Sequence, residues 1–592
     1  MKRLLAFMAC LMLAPLPGCG GGGDGSSAST PPGSGQTPPP PPPVNRSPVL
    51  VNAPVDQHLV VNHPFEFDMS QGGTAVSDPD GDTLTYTVMV TPLYTTEMPP
   101  GLTLKGTVIS GTPTEAGFWG CEVSVDDGHG GNSVQFTFNL NIAPNSPPAA
   151  VNGNKPVLVA AGSHVDYDAT QGNSTFVDPD GDPISYSMTM RGQSHGLSIT
   201  GARITGTFDA VGAVEFTITA KDAYGGTGVD SFLIAAPAAV PAAAPVLPSS
   251  SYVYRDEDLP LPWVFAMSSQ SMTPLWDMQR DNRTTNAGAT LGRVLFYDKR
   301  LSITNTHACA SCHQQALNFS SPQRFDTGIL GIPLPRTTMP LANVRYNINS
   351  AWFSDMRATE DLRNQIFMPI DNHDELGMGL FPVETKLASA AFYPPLFAAA
   401  FGTPDITRER IAAALAQFLQ SLITYQSKWD SADSPMDNSE PNPAAVLSAQ
   451  ELQGMDIYLQ HCSMCHERFA QTNVWQANNG LDSVLTDLGT TIPAMQRNGA
   501  LGVFRAASLR NIAVSAPYMH DGRFASLREV IDHYDHGVQA GPNTDSSLMD
   551  FNGNPQQLHL TEDDKLALEA FLDTFTDTGF LTNPKFSNPF PP

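Results

Sequence analysis

The sequence has 592 residues, more than a single hydrophobic core usually accommodates, so several domains are expected. Its net charge is −27, which excludes a nucleic-acid-binding protein, because such proteins need a basic surface. Four of the seven cysteines fall in two Cys-x-x-Cys-His motifs, so the cysteines do not form a disulfide framework.

Residues 1–18 are typical of an export signal, with a basic start, an apolar run and small residues before a cut site. Residues 16–19 resemble the bacterial lipobox, which predicts acylation of Cys19; an ordinary signal peptide with a leftover cysteine is the alternative. Glycine rather than aspartate follows Cys19, and in lipoprotein sorting this favours the outer membrane of a Gram-negative bacterium, on its periplasmic or cell-surface face. We therefore expect an exported lipoprotein that contacts the membrane through its anchor alone. Residues 19–47 form a Gly/Ser/Pro-rich tether.

An internal repeat follows the tether. The stretch Phe67–Gly72 corresponds to Tyr167–Gly172, 100 positions later, and short alternating apolar stretches lie between turn residues. This pattern predicts two antiparallel β-sandwiches, at residues 48–145 and 146–240. They resemble the cadherin-like or Ig-like domains of exported bacterial proteins, and we expect them to act as spacer or adhesion modules.

Each repeat also carries an Asp-Pro-Asp-Gly-Asp sequence. Clustered carboxylates beside a glycine turn suit Ca²⁺, whereas an acidic turn without an ion is the alternative. The candidate ligands are Asp78, Asp80 and Asp82 in the first repeat and Asp178, Asp180 and Asp182 in the second.

The pattern changes to helical periodicity after a linker at residues 241–260. Apolar residues recur at helical spacing within 411–419, and Thr561 begins a capping sequence before another amphipathic stretch. We predict two mainly α domains, at residues 261–430 and 431–592.

The two Cys-x-x-Cys-His motifs predict two covalently attached c-type haems. The two cysteines of each motif meet the haem vinyl groups, and the adjacent histidine binds the iron. The residues concerned are Cys309, Cys312 and His313 in the first motif and Cys462, Cys465 and His466 in the second.

The surroundings of both motifs carry a family resemblance. They include residues 291–302 (LGRVLFYDKRLS), Leu509-Arg510-Asn511 and residues 516–524 (APYMHDGRF). Over about residues 260–580 the chain resembles the bacterial di-haem cytochrome c peroxidase/MauG family. The resemblance implies two helical, cytochrome c-like domains, in which one haem meets peroxide and the other relays or stores oxidising equivalents.

For the first haem, the resemblance implies that Glu375 is the distal acid/base, with Gln365 and Pro369 nearby; a surface glutamate at a helix end is the alternative. A carboxyl group over an open iron site assists O–O cleavage by moving a proton between the peroxide oxygens. No histidine lies between His313 and His373, so we expect this haem to be five-coordinate, unless a histidine from elsewhere closes it.

For the second haem, the distal ligand separates the branches of the family. The MauG branch uses a tyrosine and the peroxidase branch a methionine, and this chain offers Tyr534, with Met519 and His533 as rivals. A phenolate ligand favours ferric iron, whereas a thioether favours ferrous iron. Tyr534 therefore favours storage of oxidising equivalents over simple receipt of electrons from a donor.

The family also implies one Ca²⁺ between the haems, held here by Asn343, Ser515 and Pro517. One position departs from the family: Ser354 stands where a tryptophan usually bridges the haems. Trp352 and Phe353 are alternatives for this electron path.

Three functions follow from these observations. The first is a MauG-like oxidase that uses H₂O₂ and oxidises an external substrate, such as a protein. The second is a cytochrome c peroxidase that detoxifies H₂O₂ with electrons from a small donor cytochrome. The third is a non-enzymatic electron-transfer or adhesive surface lipoprotein. A related oxygenase branch that cleaves polymers with O₂ also remains open.

Overall fold

The computed structural model describes residues 44–91, 97–130, 132–240, 243–255, 281–346, 362–433, 441–466, 476–490, 499 and 501–591. The predicted signal segment, Cys19 and the stretch from Trp352 to Ser354 lie outside these residues. The chain divides into two compact units, residues 1–144 and 145–592.

The first unit contains a β-sandwich. One sheet has the strand order β2-β9-β8-β5 and the other β3-β7-β6. Buried and exposed side chains alternate along the long strands, as the repeat predicted. The strands are β1 (Val49–Leu50), β2 (Gln57–Val60), β3 (Phe65–Asp68), β4 (Val76–Ser77), β5 (Thr85–Thr91), β6 (Leu102–Lys105), β7 (Val108–Gly111), β8 (Gly117–Asp126) and β9 (Val134–Ala143).

The second unit begins with a second sandwich of the same topology. Its sheets have the orders β11-β18-β17-β14 and β12-β16-β15. The strands are β10 (Ala149–Ala150), β11 (Val157–Leu158), β12 (His164–Asp168), β13 (Phe176–Val177), β14 (Ser185–Arg191), β15 (Leu197–Thr200), β16 (Arg203–Thr207), β17 (Gly212–Lys221) and β18 (Thr227–Ala236).

The rest of the second unit is mainly helical, as predicted, with one short pair of strands, β19 (Gln476–Ala477) and β20 (Phe504–Arg505). Thr561 and Ser448 cap their helices with capping boxes, because each side chain accepts a hydrogen bond from the third residue of its helix. The helices are α1 (Asn286–Tyr297), α2 (Cys309–Cys312), α3 (Leu362–Asp371), α4 (Val383–Ala388), α5 (Tyr393–Phe401), α6 (Arg408–Gln420), α7 (Lys428–Asp433), α8 (Pro443–Val446), α9 (Ala449–His461), α10 (Leu527–Asp532), α11 (Glu562–Asp573) and α12 (Thr578–Thr582).

Among the residues that the structure describes, two hydrophobic cores support the helical part. One is built around α1 and α6 and includes Phe580 and Phe586 from the far end of the sequence. The other is built around α9 and α11. The first of these cores continues into the second sandwich through Ala213, Leu233 and Ala235. The second sandwich and the first helical core are therefore one packed body.

Among the described residues, no helix combines the length and the apolarity that crossing a bilayer requires.

Candidate haem sites

The first motif forms the short helix α2, followed directly by His313. The Nδ1 of His313 donates a hydrogen bond to the carbonyl oxygen of Phe319, at 2.7 Å. This bond fixes the ring orientation and leaves Nε2 as the nitrogen that would bind iron. Phe296 and Phe319 pack beside this loop, with ring centroids 5.8 Å apart.

The two cysteines of this motif are in no disulfide, and they lie near Glu375. Burial raises the pKa of Cys309 and of Cys312 to about 12, and the Glu375 carboxylate adds to both increases. Asn372 donates from Nδ2 to Oε1 of Glu375, at 3.0 Å. The backbone N–H of Ile329 donates to the carbonyl oxygen of Glu375, at 3.2 Å. The structure thus brings the predicted acid/base to the first haem motif on a tied loop.

Gln365 and Pro369 lie one turn apart in α3. Pro369 has no N–H to donate to the carbonyl oxygen of Gln365, so one hydrogen bond within the helix is missing at this pair. The carbonyl oxygen of Pro369 instead accepts a bond from Leu376, at 3.3 Å, which joins α3 to the Glu375 loop. The Oε1 of Gln365 is buried and has no hydrogen-bond partner among the described residues. Such an orphaned acceptor is expected where a ligand belongs.

The second motif begins directly after α9, with Cys462 as the C-cap of that helix. The Nδ1 of His466 donates to the carbonyl oxygen of Ala507, at 2.8 Å, so the two histidines are oriented in the same way. Burial raises the pKa of Cys462 to about 12 and also raises that of Cys465. Both motifs therefore present two free thiols and one histidine with a committed Nδ1.

Asn479 contacts all three rival ligands of the second haem. Its side chain hydrogen-bonds the hydroxyl of Tyr534 and donates to the Sδ of Met519, at 3.4 Å. Its carbonyl oxygen accepts from the Nε2 of His533, at 3.0 Å. His533 is thereby committed to the backbone, which disfavours it as an iron ligand.

Tyr534 lies in a π-helical turn, residues 533–537, immediately after α10. Burial raises the pKa of its hydroxyl to about 12, and Cys462 and Cys465 are among the groups that raise it. The phenol therefore lies beside the second motif, where a distal ligand would be needed.

The donor sets fit two c-type haems: paired thiols and an oriented histidine in each motif, with the Glu375 carboxylate beside the first. Arg505 adds an observation that the sequence did not supply. Burial lowers the pKa of its guanidinium to about 10, and its Nε has no partner among the described residues. An anionic group such as a haem propionate fits this cation. In the sequence, the one sign of this buried cation is an arginine directly after the apolar residues Val503 and Phe504.

Buried amides join the loops that orient the two histidines. Asn318 donates from Nδ2 to the carbonyl oxygen of Arg510, at 2.8 Å, and Asn511 donates to the Oδ1 of Asn318, at 2.9 Å. Asn318 precedes Phe319, and Arg510 follows Ala507 by three positions. The described residues thus connect the two sites on their histidine sides, whereas the predicted bridge at 352–354 lies outside them.

The predicted inter-haem calcium residue Asn343 is fully buried, and its Oδ1 accepts the backbone N–H of Thr424, at 3.0 Å. Ser515 is buried, and Pro517 lies two positions after Ser515 in the chain. The second lone pair of the Asn343 oxygen remains compatible with a cation.

The structure alters one predicted carboxylate cluster. Asp78, Asp80 and Asp82 lie together in the first sandwich. In the second sandwich, Asp222 rather than Asp180 joins Asp178 and Asp182. Asp180 accepts the backbone N–H of Ser146, at 2.7 Å.

Comparison with known proteins agrees with both halves of this architecture. A family model described as "Di-haem cytochrome c peroxidase" matches residues 286–435. A model described as "Putative Ig domain" matches residues 47–143 and 147–236.

Individual relatives match the helical part. The methylamine utilization protein MauG of Methylorubrum extorquens is 31% identical over 302 residues, which cover 50% of this chain and 79% of that protein. The cytochrome c551 peroxidase of Nitrosomonas europaea is 30% identical over 251 residues, covering 41% of this chain and 71% of that protein. A solved structure of a MauG-like protein associated with microbial copper homeostasis is 29% identical and covers 52% of this chain and 95% of that one, with a TM-score of 0.45.

Proposed function

Because the chain belongs to the bacterial di-haem cytochrome c peroxidase/MauG family of haem oxidoreductases, we propose that it is a MauG-like enzyme. It uses H₂O₂ at the first haem and oxidises an external substrate, such as a protein, through equivalents stored or relayed by the second. This proposal rests on the different side chains that lie beside the two motifs. Glu375 lies beside the first motif, whereas the phenol of Tyr534 lies beside the second.

The four motif cysteines would hold the haems through thioethers, and His313 and His466 would bind the irons. The haems would supply the two electrons that cleave the O–O bond of peroxide and would hold the oxidising equivalents that result. The Glu375 carboxylate takes the proton from one peroxide oxygen and returns it to the other, which leaves as water. Asn372 holds Oε1 of Glu375, so the carboxylate does not have to find its orientation during the reaction. Gln365 positions the peroxide.

Tyr534 is the proposed distal ligand of the second haem. Its position beside Cys462 and Cys465 supports this assignment, and the bond from His533 to the Asn479 carbonyl disfavours one rival. A tyrosine ligand favours the ferric state, which suits storage of oxidising equivalents.

Met519 supports the alternative function, a cytochrome c peroxidase that receives electrons from a small donor cytochrome. Its sulfur lies 3.4 Å from the same Asn479 side chain that contacts Tyr534. Because this family consists of enzymes, membership excludes the third function that the sequence left open, a non-enzymatic lipoprotein.

Stopped-flow mixing of the ferric di-haem protein with H₂O₂ tests the first site. Glu375→Gln should slow the reaction by about a hundredfold, because the proton transfer is lost. Glu409→Gln, at an exposed glutamate of α6, is the matched control and should react like the unchanged protein. A fast reaction of Glu375→Gln would remove Glu375 from this role.

Low-temperature EPR of the ferric protein tests the second site. The unchanged protein should lack a His/Met signature, and Tyr534→Met should introduce one. A His/Met signature in the unchanged protein would instead support the donor-dependent peroxidase.

Calcium binding belongs to the same proposal. Asn343, Ser515 and Pro517 are the proposed ligands between the haems. Chelation should change the spectra of both haems, and Asn343→Ala should reproduce this change without a chelator. Unchanged spectra after chelation would argue against the site.

The sandwiches also carry proposed Ca²⁺ sites. In the second sandwich, Asp178 is buried, and its Oδ2 has no partner among the described residues. Added Ca²⁺ should raise the melting temperature of the protein, and Asp222→Asn should reduce that increase.

Export and lipid attachment at Cys19 complete the proposal. Mass spectrometry of the purified protein should find an acylated cysteine at its N-terminus. Cys19→Ala should release the protein from the membrane fraction.

A further inference from the structure

The second sandwich contacts the Glu375 loop through charged groups. Arg191, at the end of β14, places Nη2 2.6 Å from Oε2 of Glu215 and 2.5 Å from Oδ1 of Asp374. The Nδ1 of His373 lies 2.7 Å from Oε1 of Glu215. Two residues of the sandwich thus bind the two residues that immediately precede Glu375.

Apolar packing accompanies this charged cluster. Gly377 has a φ of +65°, and a Cβ there would lie 2.8 Å from Cδ1 of Leu233 and 2.3 Å from Cδ1 of Ile329. Leu233 is fully buried and lies directly opposite Glu215 in the pairing of β17 with β18. The sandwich therefore contacts the loop on both sides of Glu375.

The charged cluster is well placed to hold the loop. The side chain of Glu215 is 11% exposed, and those of His373 and Asp374 are 23% and 29% exposed. Loss of one member would leave partly buried charges without their partner, which favours movement of the loop towards solvent. A shift of about 1 Å at a catalytic group can lower a rate by about a hundredfold.

We propose that the second sandwich is a positioning element of the peroxide site. Arg191 and Glu215 hold His373 and Asp374, and so keep the Glu375 carboxylate over the first haem. This inference rests on the proposed function of Glu375. It assigns to an Ig-like domain a role in the reaction, beyond that of a spacer.

The test uses the full-length di-haem protein and three variants: Arg191→Ala, Arg191→Lys and Glu215→Gln. Arg203→Ala is the matched control, because Arg203 forms an exposed ion pair with Asp166 in the same sandwich, at 2.6 Å. Stopped-flow mixing with H₂O₂ gives the rate constant, and thermal unfolding followed by haem absorbance reports stability.

Fluoride binding to the ferric first haem supplies a readout that does not depend on turnover. Fluoride would bind together with a proton, which the Glu375 carboxylate would take up and then donate in a hydrogen bond to the fluoride, so the affinity and the spectrum of the complex report the position of Glu375.

Arg191→Ala and Glu215→Gln should each lower the peroxide rate constant and the fluoride affinity by about tenfold or more. Arg191→Lys should recover part of both losses, and Arg203→Ala should change neither by more than about twofold. The spectrum of the second haem should stay the same in every variant.

Two results distinguish failure of the positioning role from failure of the proposed role of Glu375. If Glu375→Gln slows the peroxide reaction while Arg191→Ala and Glu215→Gln behave like the unchanged protein, the positioning role is wrong and the proposed function stands. If Glu375→Gln itself reacts at the normal rate, the proposed role of Glu375 is wrong, and the positioning role is wrong with it.

Discussion

The two sandwiches share their strand order, yet they differ in one row of side chains that crosses three strands. In the second sandwich this row is Arg191, Glu215 and Leu233, paired across β14, β17 and β18. In the first sandwich the same pairing joins Thr91, Gly120 and Asn139 across β5, β8 and β9. The row that contacts the Glu375 loop in one repeat is thus small and uncharged in the other.

The neighbouring row differs in the same way. Ala213 pairs with Ala235 in the second sandwich, and both are fully buried in the core shared with the helical part. Phe118 pairs with Asn141 in the first sandwich, and Phe118 is 64% exposed. The same fold therefore forms a separate unit in one repeat and part of the enzyme core in the other. The difference lies in the side chains of two rows at one end of the sheet.

The largest effect is expected from Leu233→Ala. It should lower the free energy of unfolding of the haem-bearing unit by about 3 kcal/mol, because a buried leucine leaves a cavity. Leu140→Ala, in the core of the first sandwich, is the comparison and should leave the thermal loss of haem absorbance unchanged. An equal effect of both variants on haem absorbance would break the distinction between the sandwiches.

Ala213→Phe, which gives the second sandwich the residue of the first, should cost about 2 kcal/mol by overpacking the shared core. The reverse exchange, Phe118→Ala, should change stability by less than about 0.5 kcal/mol, because the ring is exposed. Denaturant unfolding measures both. A stable Ala213→Phe protein would mean that the second sandwich and the helical part do not form one core.

Gly377→Ala should lower the free energy of unfolding by about 1 kcal/mol more than Gly402→Ala does. Both glycines have positive φ, so alanine is strained at each. Only at Gly377 would the new methyl group meet Leu233 and Ile329, whereas it meets nothing within 4 Å at Gly402. The Gly377 variant should also slow the peroxide reaction, and equal stability of the two variants would contradict the close contact.

The smallest effect is expected from pH. The hydrogen bond from His373, together with Arg191, lowers the pKa of Glu215 from 4.5. This contribution to stability is present above pH 4.5 and is lost as the pH falls through the lowered value. The difference in unfolding free energy between the unchanged protein and Glu215→Gln, about 1 kcal/mol at pH 7, should shrink in acid. A difference that stays constant down to about pH 3 would contradict the assignment.

Local patterns in the sequence predicted the elements of the fold well. The 100-residue offset predicted two sandwiches, and the capping sequence at Thr561 predicted the start of α11. Short spacings and family motifs also predicted the two haem motifs and Glu375; the structure places Glu375 near the first motif, and its role stays a prediction.

The contacts between domains could not be predicted from such patterns. Glu215 and His373 are 158 positions apart, and alternation along β17 gives no sign of its partner. Arg505 was missed for another reason, since the group that fits its charge is not an amino acid. Asp222 was missed because the turn that carries it approaches Asp178 only in the folded sandwich.

Residues 578–590 have a consequence for the order in which the protein is assembled. Phe580 packs against Phe319, and Gln315, two positions after His313, donates to the carbonyl oxygen of Phe580. Because a chain is synthesised from its N-terminus, the sandwiches are complete long before this segment exists. The pocket around the first Cys-x-x-Cys-His motif is therefore complete only when residues 578–590 have docked, and we expect its thiols to be more accessible for haem attachment before that step.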